Sequence, residues 1–149
     1  MKKKELKIIG WREELSLPDL GGTDIKVKVD SGAKTSSLHA FDLESYSRLG
    51  VHFVKFNIHT VKKKREVSIP CKAKVLEYRN IKSSNGQVER RPVIETRVKL
   101  LDEVWIIELT LSNRDEMGFK MLLGREAIKN RFLINPGKSF YCNKKGVKK

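Results

Sequence analysis

Apolar and polar residues alternate along much of this chain with a period of two. Ile25, Val27 and Val29 stand between Lys26 and Lys28, the signature of a strand with one buried face. Residues 52–60 and 66–71 repeat the pattern on either side of a Lys-Lys-Lys-Arg run, which predicts a hairpin with a basic tip. Further strands are predicted over 73–78, 91–100 and 104–111, each rich in Val, Ile, Thr or aromatic residues. Between two of them, Ser83-Ser84-Asn85-Gly86 ends in the strongest dipeptide signal for a tight turn. Asp19-Leu20-Gly21-Gly22 reads as a loop within the fold, and only residues 124–131 read as a short helix. About seven short strands with frequent turns predict an all-β barrel or sandwich. With 149 residues and no internal repeat, a single domain with its own core is expected.

Charge changes the picture less than its total implies. Of the formal +14, residues 1–7 carry +3, residues 62–65 carry +4 and residues 144–149 carry +4. Most of the excess therefore sits in two basic flexible tails, 1–6 and 144–149, and one hairpin tip, where such runs are ordinarily solvated. RNA-binding modules interleave aromatic and basic residues along a motif, and no such run is present. A nucleic-acid partner is not expected on that ground, while an acidic peptide suits the same charge. The start Met-Lys-Lys-Lys-Glu has no apolar stretch behind it, and no run reaches the length needed to cross a membrane. A soluble cytoplasmic chain is expected. Cys71 and Cys142 lack any paired spacing, so both are expected as reduced thiols.

The candidate chemistry begins where the strand holding Val27 and Val29 runs into Asp30-Ser31-Gly32-Ala33. Plain turn chemistry accounts for that tetrapeptide, since Asp and Ser bond their own backbone and Gly tolerates φ > 0. In a barrel, however, the acid leaves a strand end into partly dry surroundings, where a carboxylate is costly unless hydrogen-bonded. Ser31 is placed to orient it, and Gly32 and Ala33 let another backbone or a substrate come close. Far downstream stands Met121-Leu122-Leu123-Gly124-Arg125. Each motif alone is weak. In this order, on a β-rich chain of this size, they are the two halves of an aspartic-protease lobe pattern.

The chain resembles the bacterial and archaeal retropepsin-like aspartic endopeptidases, a family long labelled as ATP-dependent zinc proteases. The resemblance covers nearly the whole chain. It takes in residues 9–13 with Leu17-Pro18, residues 28–40, 83–94, 109–114, 117–119, 121–127 and 132–136. It implies a closed acid-protease β-barrel with one short C-terminal helix, and, by matching motif, Asp30 as the catalytic carboxylate with Ser31 and Gly32. Ala33, Leu123, Gly124 and Arg125 become the supporting residues, with Leu122 packed behind the acid loop. A chain with one such acid implies a homodimer giving one Asp30 from each copy, with Ser31 bonding across the axis. The turn at Ser83, Ser84, Asn85 and Gly86 is the candidate flap over substrate. Relatives are often encoded beside ligases that add glutamate to protein tails, which points to glutamate-rich peptides. Lys26, Lys28 and Lys34 independently offer positive charge beside the acid.

Departures from the family pattern carry expectations of their own. The family writes Asp-Thr-Gly-Ala, and Ser31 keeps the hydroxyl but not the methyl. Viral retropepsins follow Ala with an Asp that pairs with the Arg of Gly-Arg, whereas Lys34 stands there in this chain. Arg125 is then expected to find another acid, Glu126 or a residue of the partner chain. Lys120 replaces a usual Pro and Asn135 a usual Asp.

Three histidines, His39, His52 and His59, without His-Glu-x-x-His or Cys-x-x-Cys, predict no metal site. His52 and His59 are seven apart on a strand pattern, hence on opposite faces. With no Gly-rich phosphate loop, no nucleotide is predicted either, so the expected cofactors are none. Trp11 and Trp105 are expected in the core. The alternative to a peptidase is a non-catalytic module of the same fold that holds an acidic peptide or RNA.

Overall fold

The computed structural model describes residues 5–82, 85–113 and 118–140. Among them are eleven strands and one four-residue helix. In chain order the strands are β1 (Lys7–Leu17), β2 (Gly22–Asp30), β3 (Ser36–His39), β4 (Phe41–Arg48), β5 (Val51–Lys62) and β6 (Arg65–Lys74). They continue as β7 (Glu77–Lys82), β8 (Val88–Leu100), β9 (Glu103–Ser112) and β10 (Met121–Gly124), then α1 (Arg125–Ile128) and β11 (Phe132–Ser139). Six of them close a barrel in the order β1-β2-β10-β3-β9-β8, returning to β1 through the Ser16–Lys99 pair. β11 adds to β1 in parallel and β7 adds to β8 antiparallel. A separate antiparallel sheet, β4-β5-β6, is inserted between β3 and β7. The expected all-β, acid-protease-like barrel is what the chain forms.

The alternation in β2 does what its pattern predicts. Ile25, Val27 and Val29 are 6% exposed or less and join Leu109, Leu111 and Leu123 in one core. Burying each such side chain contributes roughly 1.5–3 kcal/mol. β5 and β6 form the predicted hairpin, with Lys62 opposite Arg65 and the tip residues Lys63 and Lys64 at φ 51° and 64°. Both tip residues in the left-handed region make the primed turn that matches strand twist.

Two predicted elements come out differently. The strand expected over 73–78 is broken, because the chain changes sheets there. The Val75 N–H still donates to His52 O of β5 (2.9 Å), whereas the Leu76 N–H donates to Val93 O of β8 (2.8 Å). The helix expected over 124–131 stops at Ile128. Asn130 takes φ 64°, and the Ala127 carbonyl accepts the Trp105 Nε1–H at 3.1 Å, which fixes the exit toward β11. Trp105 lies in the core as expected. Trp11 does not: it is half-buried, edge-on to Phe119 and covered by the Arg12 guanidinium at 4.4 Å.

Cys71 is half-buried with its Sγ 3.4 Å from Leu20 O, and burial pushes its thiol up to about 11. No helix among the described residues is long and apolar enough to cross a membrane. The tails expected at 1–6 and 144–149, apart from residues 5 and 6, lie outside the described residues. So do Ser83, Ser84 and Cys142.

Candidate functional site

Asp30 is the last residue of β2, directly after buried Val29. Its own loop holds it. The Gly32 N–H donates to Asp30 Oδ1 at 2.9 Å, and the Ala33 N–H donates to Asp30 O at 3.2 Å. These bonds are the Asx-turn chemistry expected of the tetrapeptide. They also supply the hydrogen bond that a carboxylate at a strand end needs. Asp30 is half-buried, while Ser31 and Gly32 are exposed.

β10 meets this loop from the other half of the chain. Its four residues pair in parallel with β2, placing Leu123 opposite Val29 and Gly124 opposite Asp30. Leu123 is fully buried and Leu122 partly. At Gly124 an added Cβ would lie 2.7 Å from Thr35 C and 3.0 Å from Ala33 O, so only glycine lets the two segments approach this closely. The Gly124 N–H donates to Ser36 Oγ (2.9 Å), the Arg125 N–H to Ala33 O (2.7 Å) and the Glu126 N–H to Lys34 O (3.1 Å). Two consecutive amides thus hold the loop that carries the acid, and a third anchors Ser36 of β3, into which the loop runs.

Arg125, expected to pair with Glu126 or a residue of the partner chain, does not pair with Glu126. Its Nη1 donates to Ser31 O at 3.1 Å, and Glu126 instead faces Lys129 at 3.6 Å. A guanidinium has five donors, and this one ties Arg125 to the acid loop's own backbone. Asp30, Ser31, Gly32, Ala33, Leu123, Gly124 and Arg125 therefore converge.

Asn85 and Gly86 are the described residues of the candidate flap turn. They lie at the β7–β8 hairpin end, past the Lys82–Val88 pair, with Gly86 at φ 86° and the Gln87 N–H bonded to Asn85 Oδ1 at 3.1 Å. The hairpin reaches the neighbourhood of the acid loop at its base. A groove of about 740 Å³ is lined by Lys34 and Thr35 of that loop, Arg79 of β7, Ile106 and Glu108 of β9, and Glu126. Arg79 bridges Glu77 (2.6 Å) and Glu108 (2.7 Å). Arg79, Ile106 and Glu108 went unnoticed in the sequence, where nothing but strand alternation marks them. Among the described residues, no group of three or more His, Cys, Asp or Glu is disposed to hold a metal ion. His59 stacks against His39 (5.3 Å) and Phe41 (4.8 Å), whose rings also stack on each other at 6.1 Å, while His52 bonds Ser47 Oγ at 3.1 Å.

A family model described as RimB-like, retropepsin-like aspartic endopeptidase RimB, matches residues 8–145. A Shewanella pealeana protein named probable alpha-L-glutamate ligase is 47% identical over 139 residues, covering 93% of this chain and 30% of that protein. A protein of the same name from Desulfotalea psychrophila is 51% identical over 130 residues, covering 87% and 28%. The chain thus spans less than a third of the length of these curated relatives. Its structure is similar to a crystal structure of a Legionella pneumophila protein of unknown function, with TM-score 0.73 and 27% identity, covering 93% of this chain and 99% of that one.

Proposed function

The chain belongs to the RimB-like family of retropepsin-like aspartic endopeptidases, and from that membership we propose that it hydrolyses peptide bonds as a homodimer, one Asp30 per chain. The observation that carries this reading is the seat of Asp30. Its loop is held by the amides of Arg125 and Glu126, and the strand that follows by the amide of Gly124, while Asp30 itself stays half-buried. Two such carboxylates meeting about a two-fold axis cannot both ionise easily and share a proton. One then takes a proton from the attacking water while the other donates to the scissile carbonyl. Their titration belongs to the pair. The exposed Ser31 is available to the partner chain, and the β7–β8 hairpin is the element suited to close over substrate.

Glutamate-bearing peptides are the proposed substrates. The relatives that share this segment are named as glutamate ligases, and exposed Lys34 puts a positive charge on the acid-loop side of the groove. The second reading, a non-catalytic module that holds such a peptide, is favoured by one observation. In those relatives the matching segment is 28–30% of a longer chain named for another reaction.

The deciding measurement is turnover of a glutamate-rich reporter peptide by wild type and Asp30→Asn, with and without EDTA. We expect the variant to keep its circular dichroism and lose at least about 10³-fold in turnover, a typical loss when a catalytic carboxylate is neutralised. We expect EDTA to leave the wild type unchanged. Peptide binding without turnover by either protein would establish the module instead. Loss in EDTA that zinc restores would replace the aspartic mechanism with a metal one.

A further inference from the structure

The β4-β5-β6 sheet turns one face to the core and one to solvent, and the solvent face is chemically unusual. Val54, Phe56 and Ile58 point inward, so by alternation Phe53, Lys55, Asn57 and His59 of β5 point outward. Register then assembles the outer face in rows across three strands. Tyr46, Phe53 and Lys74 form one row, Glu44, Lys55 and Lys72 the next, and Phe41, Asn57 and Pro70 a third. The Tyr46 and Phe53 rings stack at 5.4 Å, and Lys55 Nζ lies 5.3 Å over the Tyr46 ring. At the other end His59 stacks on Phe41. Between the two aromatic pairs a groove of about 500 Å³ is lined by Asp42, Glu44, Lys55, Asn57, Pro70 and Lys72. Arg48, Lys55, Lys72 and Lys74 on this face are exposed, against the acids Asp42 and Glu44 in the groove.

We propose that this outer face binds single-stranded nucleic acid, bases stacking on Tyr46 and Phe53 and phosphates running along Lys55, Lys72, Lys74 and Arg48. Flat rings beside cations on a sheet surface are the means by which single strands are held without sequence preference. An acidic peptide would use the lysines but leave the stacked rings without a counterpart. The Lys62–Arg65 tip of the same β5–β6 hairpin adds positive charge at one end of this sheet. None of these residues belongs to the Asp30 cluster, so the proposal stands whether or not the chain is a peptidase. It also explains why no linear motif announced it: the rings and lysines come from three strands and meet only through register.

The test is fluorescence anisotropy on the full chain with labelled RNA and DNA strands of the same mixed sequence, about 15 nucleotides long, and a polyglutamate peptide of similar length. Wild type is expected to bind the nucleic acids, with equal affinity for both strands marking backbone-and-stacking recognition and an RNA preference marking contact to the 2′-hydroxyls. The Tyr46→Leu, Phe53→Leu double variant is expected to bind about tenfold more weakly. Because those rings are half-buried, the exposed Lys55→Glu, Lys72→Glu, Lys74→Glu triple variant serves as the second arm. It is expected to bind weakly and to reduce the salt slope by about two, while exposed Lys99→Glu on β8 behaves as wild type. Triple-variant binding equal to wild type would assign the affinity to charge elsewhere and overturn the proposal. Tighter binding of the polyglutamate peptide, abolished by the same triple variant, would overturn it in favour of an acidic-peptide site.

Discussion

Replacing Gly124 by alanine tests whether the seat of the acid loop is as tight as its geometry implies. The new Cβ would lie 2.7 Å from Thr35 C, 2.8 Å from Thr35 O and 3.0 Å from Ala33 O. All three are backbone atoms, so no side chain can swing away. Ordinary contact begins at 3.4 Å, so β10 and the loop must separate by roughly 0.7 Å. That displacement stretches the Arg125–Ala33 hydrogen bond from 2.7 Å and the buried Gly124–Ser36 bond from 2.9 Å. Overpacking costs about 1–3 kcal/mol and a weakened buried hydrogen bond about 1–3 kcal/mol more. A loss near 3 kcal/mol lowers Tm by about 6–12 °C for a chain of this size. Displacing a reacting group by most of an ångström also costs on the order of 10–100-fold in turnover. The control is Gly50→Ala, where φ is +78° but nothing lies within 4 Å of the added carbon. It is expected to lose about 1–2 kcal/mol from backbone strain and to keep full turnover. Thermal unfolding by circular dichroism and peptide turnover on both variants decide the matter. A Gly124→Ala protein that melts with wild type refutes the packing argument, and one that melts low yet turns over peptide normally refutes the link to the acid.

Two further outcomes follow from charged groups at the surface. Arg97 donates to both carboxylate oxygens of Asp19, from its backbone N–H to Oδ2 (3.0 Å) and its guanidinium to Oδ1 (2.7 Å), and holds that carboxyl below its usual value of 3.8. A depressed folded value contributes stability that is present above the unfolded value and lost as pH falls through the folded one, so the Tm gap between wild type and Asp19→Asn is expected at pH 6–7 and to shrink steadily as pH falls below about 4; a gap that does not shrink with acidification contradicts the assignment. Lys34 is exposed and lines the groove, so Lys34→Asp is expected to reverse a preference for glutamate-rich over neutral reporter peptides at low salt, an effect that shrinks as ionic strength rises. Unchanged discrimination in competition assays would leave Lys34 a solubilising residue only.

Fold class was legible because the dominant signal, alternation, is local. β2 and the β5–β6 hairpin carry it over many residues, and they formed where the pattern placed them. The four-residue strands β3 and β10 carry too few residues to show any period. They exist because each lies between partners already in place: β10 between β2 and β3, β3 between β10 and β9. The break at Val75 and Leu76 was equally invisible, since both residues suit a strand and the chain merely changes partner.

The candidate site divides along the same line. Asp30 and Gly124 could be singled out because each needs a particular residue type. An acid leaving a strand must bond its own turn, and a glycine must stand where a Cβ would strike Thr35. The role of Arg125 could not be read, because its guanidinium bonds the Ser31 carbonyl, and every residue has a carbonyl. That choice has a physical consequence. An arginine tied to a backbone oxygen holds the loop without needing a carboxylate at position 34, so that position is released from a structural duty. Lysine can then stand there, exposed on the groove, at no cost to the loop's seat. Relative to an aspartate at that place, the groove's edge changes by two unit charges, enough to alter which peptides are drawn to it while the geometry around Asp30 stays the same.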